Sequence, residues 1–257
     1  MNTTLITGAS SGIGAAFARK LAARGRNVLL VARSEDKLIT LCNELGRLSG
    51  IRAQYFALDL LEPDAGARLF EEAQKRELAI EMLVNNAGFG SMGDFVKLDL
   101  ARELEMIDLN IKALVDLTYR FLAPMRERRQ GTIINVASTA AVQPVPYMAT
   151  YAATKAFVLS FSEALWDENR EHGIHVMALC PGVTDTNFFS ASRMDRPPLR
   201  TIETPEEVVQ TALRGLSGRK PSVISGWTNW FAAEAQRFVP RSVVIKIAGK
   251  ALRSRFE

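Results

Sequence analysis

Thr7-Gly8-Ala9-Ser10-Ser11-Gly12-Ile13-Gly14 is the stretch on which the fold turns. It follows an apolar, β-rich run at 3–7 and opens a helical pattern at 15–24. Glycines reach backbone conformations that other residues resist, and they let a pyrophosphate come close to the main chain. The start of the helix offers free N–H groups and the positive end of its dipole. The spacing is Gly-x-x-x-Gly-x-Gly rather than the commoner Gly-x-Gly-x-x-Gly, so a glycine-rich turn without a ligand is the plainer reading. The intact strand–turn–helix frame favours a phosphate-binding loop over that reading.

Outward from the loop, β-rich runs alternate with helix-length patterns. The predicted strands lie at 3–7, 27–32, 52–57, 82–85, 132–137, 175–180 and 222–225. Several are apolar almost throughout, as strands covered on both faces are. The clearest helical patterns run over 15–24, 35–48, 65–77, 101–128 and 154–171. This alternation predicts βαβ units, hence an α/β fold with a doubly wound parallel sheet flanked by helices. No Gly-, Ser- or Pro-rich linker divides the chain and no internal repeat is visible, so one domain over 1–257 is expected. Residues 183–204, irregular and rich in Pro, Arg and Met, read as a substrate lid, and 228–257 as a C-terminal helical extension. Between them, Thr204-Pro205-Glu206-Glu207 predicts a helix start, with Thr204 as N-cap, Pro205 at the first helical position and acids in the first turn.

Composition sets limits on function. The chain has 257 residues, 47% hydrophobic and 23% charged, within the range of soluble globular proteins. Its net charge of +4, from 32 basic and 28 acidic residues, is a modest excess. Nucleic-acid binding calls for a basic stripe with aromatic partners, and none is evident outside the C-terminus. Cys42 and Cys180 are far apart and in no metal-type spacing, which suits reduced thiols in a cytoplasmic protein. His172 and His175 form His-x-x-His without further ligands, so no metal site is expected. The N-terminus lacks a signal-peptide pattern and no apolar run is long enough to span a bilayer, so a cytoplasmic location is expected.

Three further motifs carry chemistry. Leu30-Val31-Ala32-Arg33-Ser34 ends the second predicted strand. An NAD site commonly holds Asp or Glu there, on the adenosine ribose hydroxyls. Ala32 removes that carboxylate and Arg33 offers a guanidinium to a 2′-phosphate, so NADP(H) is favoured over NAD(H). Glu35 and Asp36 are read as first-turn acids after a Ser34 N-cap. Asn85-Asn86-Ala87-Gly88 lets backbone pass close to a cofactor, although by itself it could be a turn. Tyr151 and Lys155 share one helix face, where an ammonium beside a phenol of ordinary pKa about 10 favours the phenolate. In isolation that pair is also what a solvated aromatic–cation contact looks like.

Together, the 7–14 loop, the 85–88 run, Asn110, Ser138, Tyr151, Lys155 and Pro181-Gly182 stand in the order and spacing of the short-chain dehydrogenase/reductase family. The chain resembles that family from about Thr3 to about Gly226. Phe89-Gly90 and residues 149–164 resemble a bacterial branch of ketoacyl- and hydroxysteroid-type reductases. The resemblance implies a single Rossmann-type domain. It implies that Tyr151 is the general acid in reduction and the base in oxidation. Lys155 would lower the Tyr151 pKa and hold the nicotinamide ribose, and Ser138 would hydrogen-bond the substrate oxygen. Asn110 would hold a water linking Lys155 to a proton relay. Cofactor contacts are implied at Gly8, Ser10, Ser11, Gly12, Ile13 and Gly14, with Ser10 and Arg33 facing the 2′-phosphate. Asp59 would meet the adenine with Leu60 beside it, and Asn86 would lie under the adenosine ribose, followed by Ala87 and Gly88. Pro181, Gly182, Val183 and Thr186 would meet the nicotinamide. Ser11 departs from the pattern: many NADP-preferring members carry a basic residue there, which leaves Arg33 as the main charged determinant.

The side chains expected near the nicotinamide are largely apolar. They include Phe89, Met92, Val142, Pro144 and Met194, with Ser138, Ala140, Val145, Met148, Tyr151, Phe188 and Phe189 as the candidate substrate contacts. Such a lining favours a lipophilic substrate: a 3-oxoacyl, steroid-like or aromatic ketone. Arg193, Arg196 and Arg200 could meet an anionic tail, with solvated loop charges as the plainer reading. In the C-terminal segment Val243, Val244, Ile247, Ala248, Ala251 and Leu252 form one helical face and Lys246, Lys250 and Arg253 the other, with Trp227, Trp230 and Phe231 upstream. Packing on its own domain or on a second subunit is the favoured reading, and contact with an anionic membrane is the other. A homodimer or homotetramer is expected. The expected function is NADP(H)-dependent hydride transfer on a lipophilic carbonyl/alcohol pair. The alternative, a non-catalytic dinucleotide-binding sensor or scaffold, is disfavoured because Asn110, Ser138, Tyr151 and Lys155 are all present. An epimerase or dehydratase is disfavoured by the short C-terminal region.

Overall fold

The computed structural model describes residues 2–47, 50–186, 188, 192 and 202–253. Its strands are β1 (Asn2–Thr7), β2 (Asn27–Ala32), β3 (Ala53–Ala57), β4 (Ala79–Asn85), β5 (Gly131–Val136), β6 (Ile174–Cys180) and β7 (Ser222–Ile224). They form one sheet in the order β3-β2-β1-β4-β5-β6-β7, each neighbouring pair parallel. The helices are α1 (Gly12–Ala22), α2 (Glu35–Leu45), α3 (Ala65–Lys75), α4 (Leu100–Ile107), α5 (Leu114–Glu127), α6 (Ala149–Arg170), α7 (Pro205–Ser217), α8 (Trp227–Ala235) and α9 (Arg241–Arg253).

Side chains alternate across the sheet, so consecutive strand residues serve two cores. Ile6, Leu30, Val84, Ile134 and Met177 pack against Phe17 and Leu21 of α1, Leu38 of α2 and Val208 of α7. Leu5, Leu29, Leu83, Ile133 and Val176 pack on the other face against Leu69 of α3 and Leu117 and Phe121 of α5. Every residue of β6 is buried, as its continuous apolar run requires. The chain builds β1, β2 and β3 outward in one direction, then crosses to place β4 on the other side of β1. That reversal opens a crevice at the carboxyl ends of β1 and β4, where ligands bind in open α/β sheets.

The predicted helix over 101–128 is two helices joined by one wider π-type turn, Asp108–Ala113. Of that turn's residues only Asn110 is buried. The predicted Thr204 cap forms in full: Thr204 Oγ1 accepts from the Glu207 amide at 3.2 Å, and the Thr204 amide donates to the Glu207 carboxylate at 2.8 Å. Ser34 precedes α2 as expected, but its side chain makes no cap bond. The foot of the 183–204 segment is closed by backbone bonds between Glu203 and both Val183 and Asp185, at 3.1 and 2.9 Å. Phe189, Arg193, Met194, Arg196 and Arg200 lie outside the described residues. The C-terminal helix forms, but the packing expected of its apolar face is corrected: Gly249 is buried against Pro146, whereas Val243 and Ile247 are exposed, because α9 meets the domain along a different line. Cys42 and Cys180 are free thiols. Among the described residues no helix is long and apolar enough to cross a membrane, and no cluster of three His, Cys, Asp or Glu side chains is placed to hold a metal ion.

Candidate active site

The crevice begins where β1 ends. Thr7 Oγ1 donates to Val84 O at 3.3 Å and accepts from the amides of Asn86 and Ala87, both at 3.0 Å. The Asn86 side-chain amide donates in turn to Thr7 O at 3.0 Å and Gly8 O at 3.2 Å. These bonds stitch the 7–14 loop to the 85–88 run. Gly8 has φ +64°, and a Cβ there would sit 2.8 Å from Asn86 Nδ2. A Cβ on Gly14 would lie 2.4 Å from Gly8 O, so the helix approaches the turn only because residue 14 has no side chain. Ser11 stands before α1 with no side-chain cap bond, so the cap leaves the first-turn amides to a ligand. A glycine-lined turn and an uncapped helix start fit a pyrophosphate.

At the far end of β2, the Arg33 guanidinium lies 3.7 Å from Asp59 Oδ2 and is 71% exposed. Asp59 Oδ1 accepts from the Leu61 amide at 3.0 Å. Lys37, on the first turn of α2, lines the same end of the crevice. The sequence reading missed it, although it stands on the helical turn that directly follows Arg33.

The chemistry-bearing side chains meet at the carboxyl end of β5. Tyr151 and Lys155 project from α6 and are 7% and 6% exposed. Lys155 Nζ donates to Val136 O at 2.8 Å and lies 5.9 Å from the centre of the Tyr151 ring. Ser138, just past β5, lines the same cavity as Tyr151, and its Oγ accepts from the Ala140 amide at 3.1 Å. Burial pushes the Tyr151 phenol up to about 12, opposed by the nearby Ser138 hydroxyl. Burial also pushes the Lys155 ammonium down to about 8. The expected lowering of Tyr151 by Lys155 is not seen: Tyr151 is raised, and desolvation, which disfavours the charged form of each group, dominates both.

Asn110 braces the site. Its Nδ2 donates to Phe89 O at 3.0 Å and Thr154 Oγ1 at 3.1 Å, and its Oδ1 accepts from the Phe89 amide at 3.2 Å. One lone pair of Oδ1 is left. A Cβ on Gly88 would lie 2.7 Å from that oxygen and 3.6 Å from Lys155 Nζ, so these side chains approach the backbone only because residue 88 has none. The wide turn at Asp108–Ala113 delivers this side chain inward, and such turns often mark functional sites.

A cavity of about 810 Å³ runs from the glycine loop past Tyr151. Ser10, Ser11, Gly12, Ile13, Asp59 and Leu60 line its cofactor half, and Ala87, Gly88, Pro181, Gly182, Val183 and Thr186 its centre. Gly14 packs behind the loop instead. Of the expected apolar lining, Phe89, Met92, Ala140, Val142, Val145, Met148 and Phe188 are there. Pro144 is not part of the wall. The Tyr151 and Phe188 rings lie 5.6 Å apart, and the Arg102 guanidinium stacks 4.2 Å from the Phe89 ring. Arg102, Glu105 and Gln143, with Asn229, Ala233, Gln236 and Leu252 from the C-terminal segment, also line it and were missed. No motif marks them; only the tertiary path of the chain brings them in.

Fold and site together define a nucleotide-dependent dehydrogenase or reductase. The chain belongs to the short chain dehydrogenase family, whose profile matches residues 2–197. It is 32% identical over 223 residues to the ketoacyl reductase HetN of Nostoc sp. (strain PCC 7120), covering 86% of this chain and 77% of that one. It is 33% identical over 236 residues to the very-long-chain 3-oxoacyl-CoA reductase of Macaca fascicularis, covering 87% and 73%. A short-chain dehydrogenase from Sphingobium yanoikuyae, solved in complex with NADPH, superposes with a TM-score of 0.83 at 34% identity, over 92% of this chain and 94% of that one.

Proposed function

We propose that the protein is an NADP(H)-dependent oxidoreductase that moves a hydride between the nicotinamide and a lipophilic carbonyl or secondary alcohol. The observation that carries this reading is the meeting of Ser138 with the buried Tyr151 and Lys155 on an apolar-walled cavity continuous with the glycine loop. The bound dinucleotide supplies the hydride. The chain supplies position and a proton. Ser138 Oγ orients the carbonyl oxygen by a hydrogen bond, and Tyr151, protonated at neutral pH, donates its hydroxyl proton to that oxygen. In oxidation Tyr151 takes the proton back. Lys155 holds the ribose hydroxyls, and Asn110 holds a water that links Lys155 to a proton relay, with the free lone pair of its Oδ1 as the acceptor.

Arg33 and Lys37 bind the 2′-phosphate in this reading, with Ser10 beside them. Two of the named relatives are a ketoacyl reductase and a very-long-chain 3-oxoacyl-CoA reductase. The wide apolar wall suits a 3-oxoacyl substrate, with steroid-like or aromatic ketones next. Measuring NADPH oxidation across these three substrate classes tests the assignment, and a cavity that turns over none of them would refute it. The protein is further proposed to be a homo-oligomer through Leu100, Leu104 and Tyr119, exposed on α4 and α5; sedimentation velocity reads this directly.

A further inference from the structure

The C-terminal segment presents an unusual surface. Trp227, Trp230 and Phe231 are 80%, 53% and 63% exposed, and their spacing places them on one face of α8. Phe238, in the short turn that follows, is 89% exposed, and Ile247 of α9 is 65% exposed. The opposite face of α8 lines the catalytic cavity through Asn229 and Ala233. Scattered apolar residues on a surface need no explanation, but four large aromatics within twelve residues do. The segment 227–253 also carries five cations against one acid, Glu234, which is paired with Arg237 at 3.0 Å. Arg241, Lys246, Lys250 and Arg253 are exposed.

We propose that α8 and α9 dock the enzyme on an anionic lipid bilayer. The aromatics enter the headgroup region, where amphipathic rings are favoured, and the cations of α9 meet lipid phosphates. The charge balance selects this occupant over a second copy of the chain. A two-fold contact pairs a patch with itself, setting five cations against five with no free acid to offset them. Docking there puts the wall of the substrate cavity at the lipid surface, while vesicle binding itself needs no catalysis and is tested independently of the proposed reaction.

The experiment is co-sedimentation of the full chain with phosphatidylcholine vesicles, with and without phosphatidylglycerol. Binding is expected only to the anionic vesicles, released by added salt. The double variant Trp227→Ser/Trp230→Ser should abolish it, and Lys246→Gln/Lys250→Gln should weaken it roughly tenfold or more. Neither pair lines the catalytic cavity, so NADPH oxidation on a water-soluble ketone and the melting temperature should stay at wild-type values in both. Absence of binding, equal binding to both vesicle types, or a tryptophan variant that changes oligomeric mass without a loss of vesicle binding would each overturn the proposal.

Discussion

Lys155 is a cation whose ordinary state the fold opposes. Its ammonium is pushed down to about 8 by burial while it donates to Val136 O. Below about pH 8 the folded protein carries a buried charge that the unfolded chain holds in water. Between about 8 and the ordinary lysine value of 10.5 the unfolded chain keeps the proton that the folded state has lost. Stability rises with pH wherever the unfolded state binds more protons, so this group's contribution rises across that window. Lys155→Met should therefore raise the melting temperature of the apoprotein at neutral pH, roughly 2–4 °C for each kcal/mol relieved. The same variant should lose turnover and bind NADPH more weakly. A lower melting temperature together with retained activity would show that Lys155 is structural. Tyr151, pushed the other way to about 12, stays protonated through the physiological range. Reduction should thus hold from acid to neutral pH, with kcat/KM falling as Lys155 loses its charge above about 8.

At the scale of elements, two polar devices hold the site's supports. Asn85 Nδ2 donates to Thr118 Oγ1 at 3.0 Å and Asn135 Oδ1 at 2.9 Å, and Asn135 Nδ2 donates to Ser162 Oγ at 2.9 Å. This buried chain links β4, α5, β5 and α6, the elements that carry Asn86, Ser138 and Tyr151. Removing Asn135 leaves an Asn85 Nδ2 hydrogen without its acceptor and Ser162 Oγ without its donor, each at about 1–3 kcal/mol. The Thr204 cap of α7 is exposed and worth about 1 kcal/mol. Asn135→Ala should accordingly lower the midpoint of urea unfolding more than Thr204→Ala; the reverse order would show that the buried chain is not a stabilising unit. The glycine loop, Tyr151 and Lys155 were legible in the sequence because their spacing along the chain is their spacing in the site. The wide turn at Asp108–Ala113 was not, since apolar periodicity runs through it without a breaker. Asn229 and Leu252 reach the cavity only by tertiary packing, and the inverted shift of Tyr151 depends on burial, which a single helical turn does not reveal.

For the whole molecule, the sheet order makes the crevice and the residues around it set its chemistry. In the proposed function cofactor choice is set at the end of β2, where Ala32 offers no carboxylate and Arg33 and Lys37 line the wall. Arg33→Ala combined with Lys37→Ala should weaken NADPH binding roughly tenfold or more while leaving NADH nearly unchanged, because only NADPH carries the phosphate those cations meet. Equal losses for the two cofactors, read by fluorescence titration, would remove the charge argument. The central claim is that Tyr151 transfers the proton. Its most direct test is NADPH-dependent ketone reduction by Tyr151→Phe with a parallel titration of NADPH. The predicted result is a fall in kcat of about 10²–10⁴-fold with the NADPH dissociation constant close to wild type. Turnover within a few-fold of wild type would contradict it.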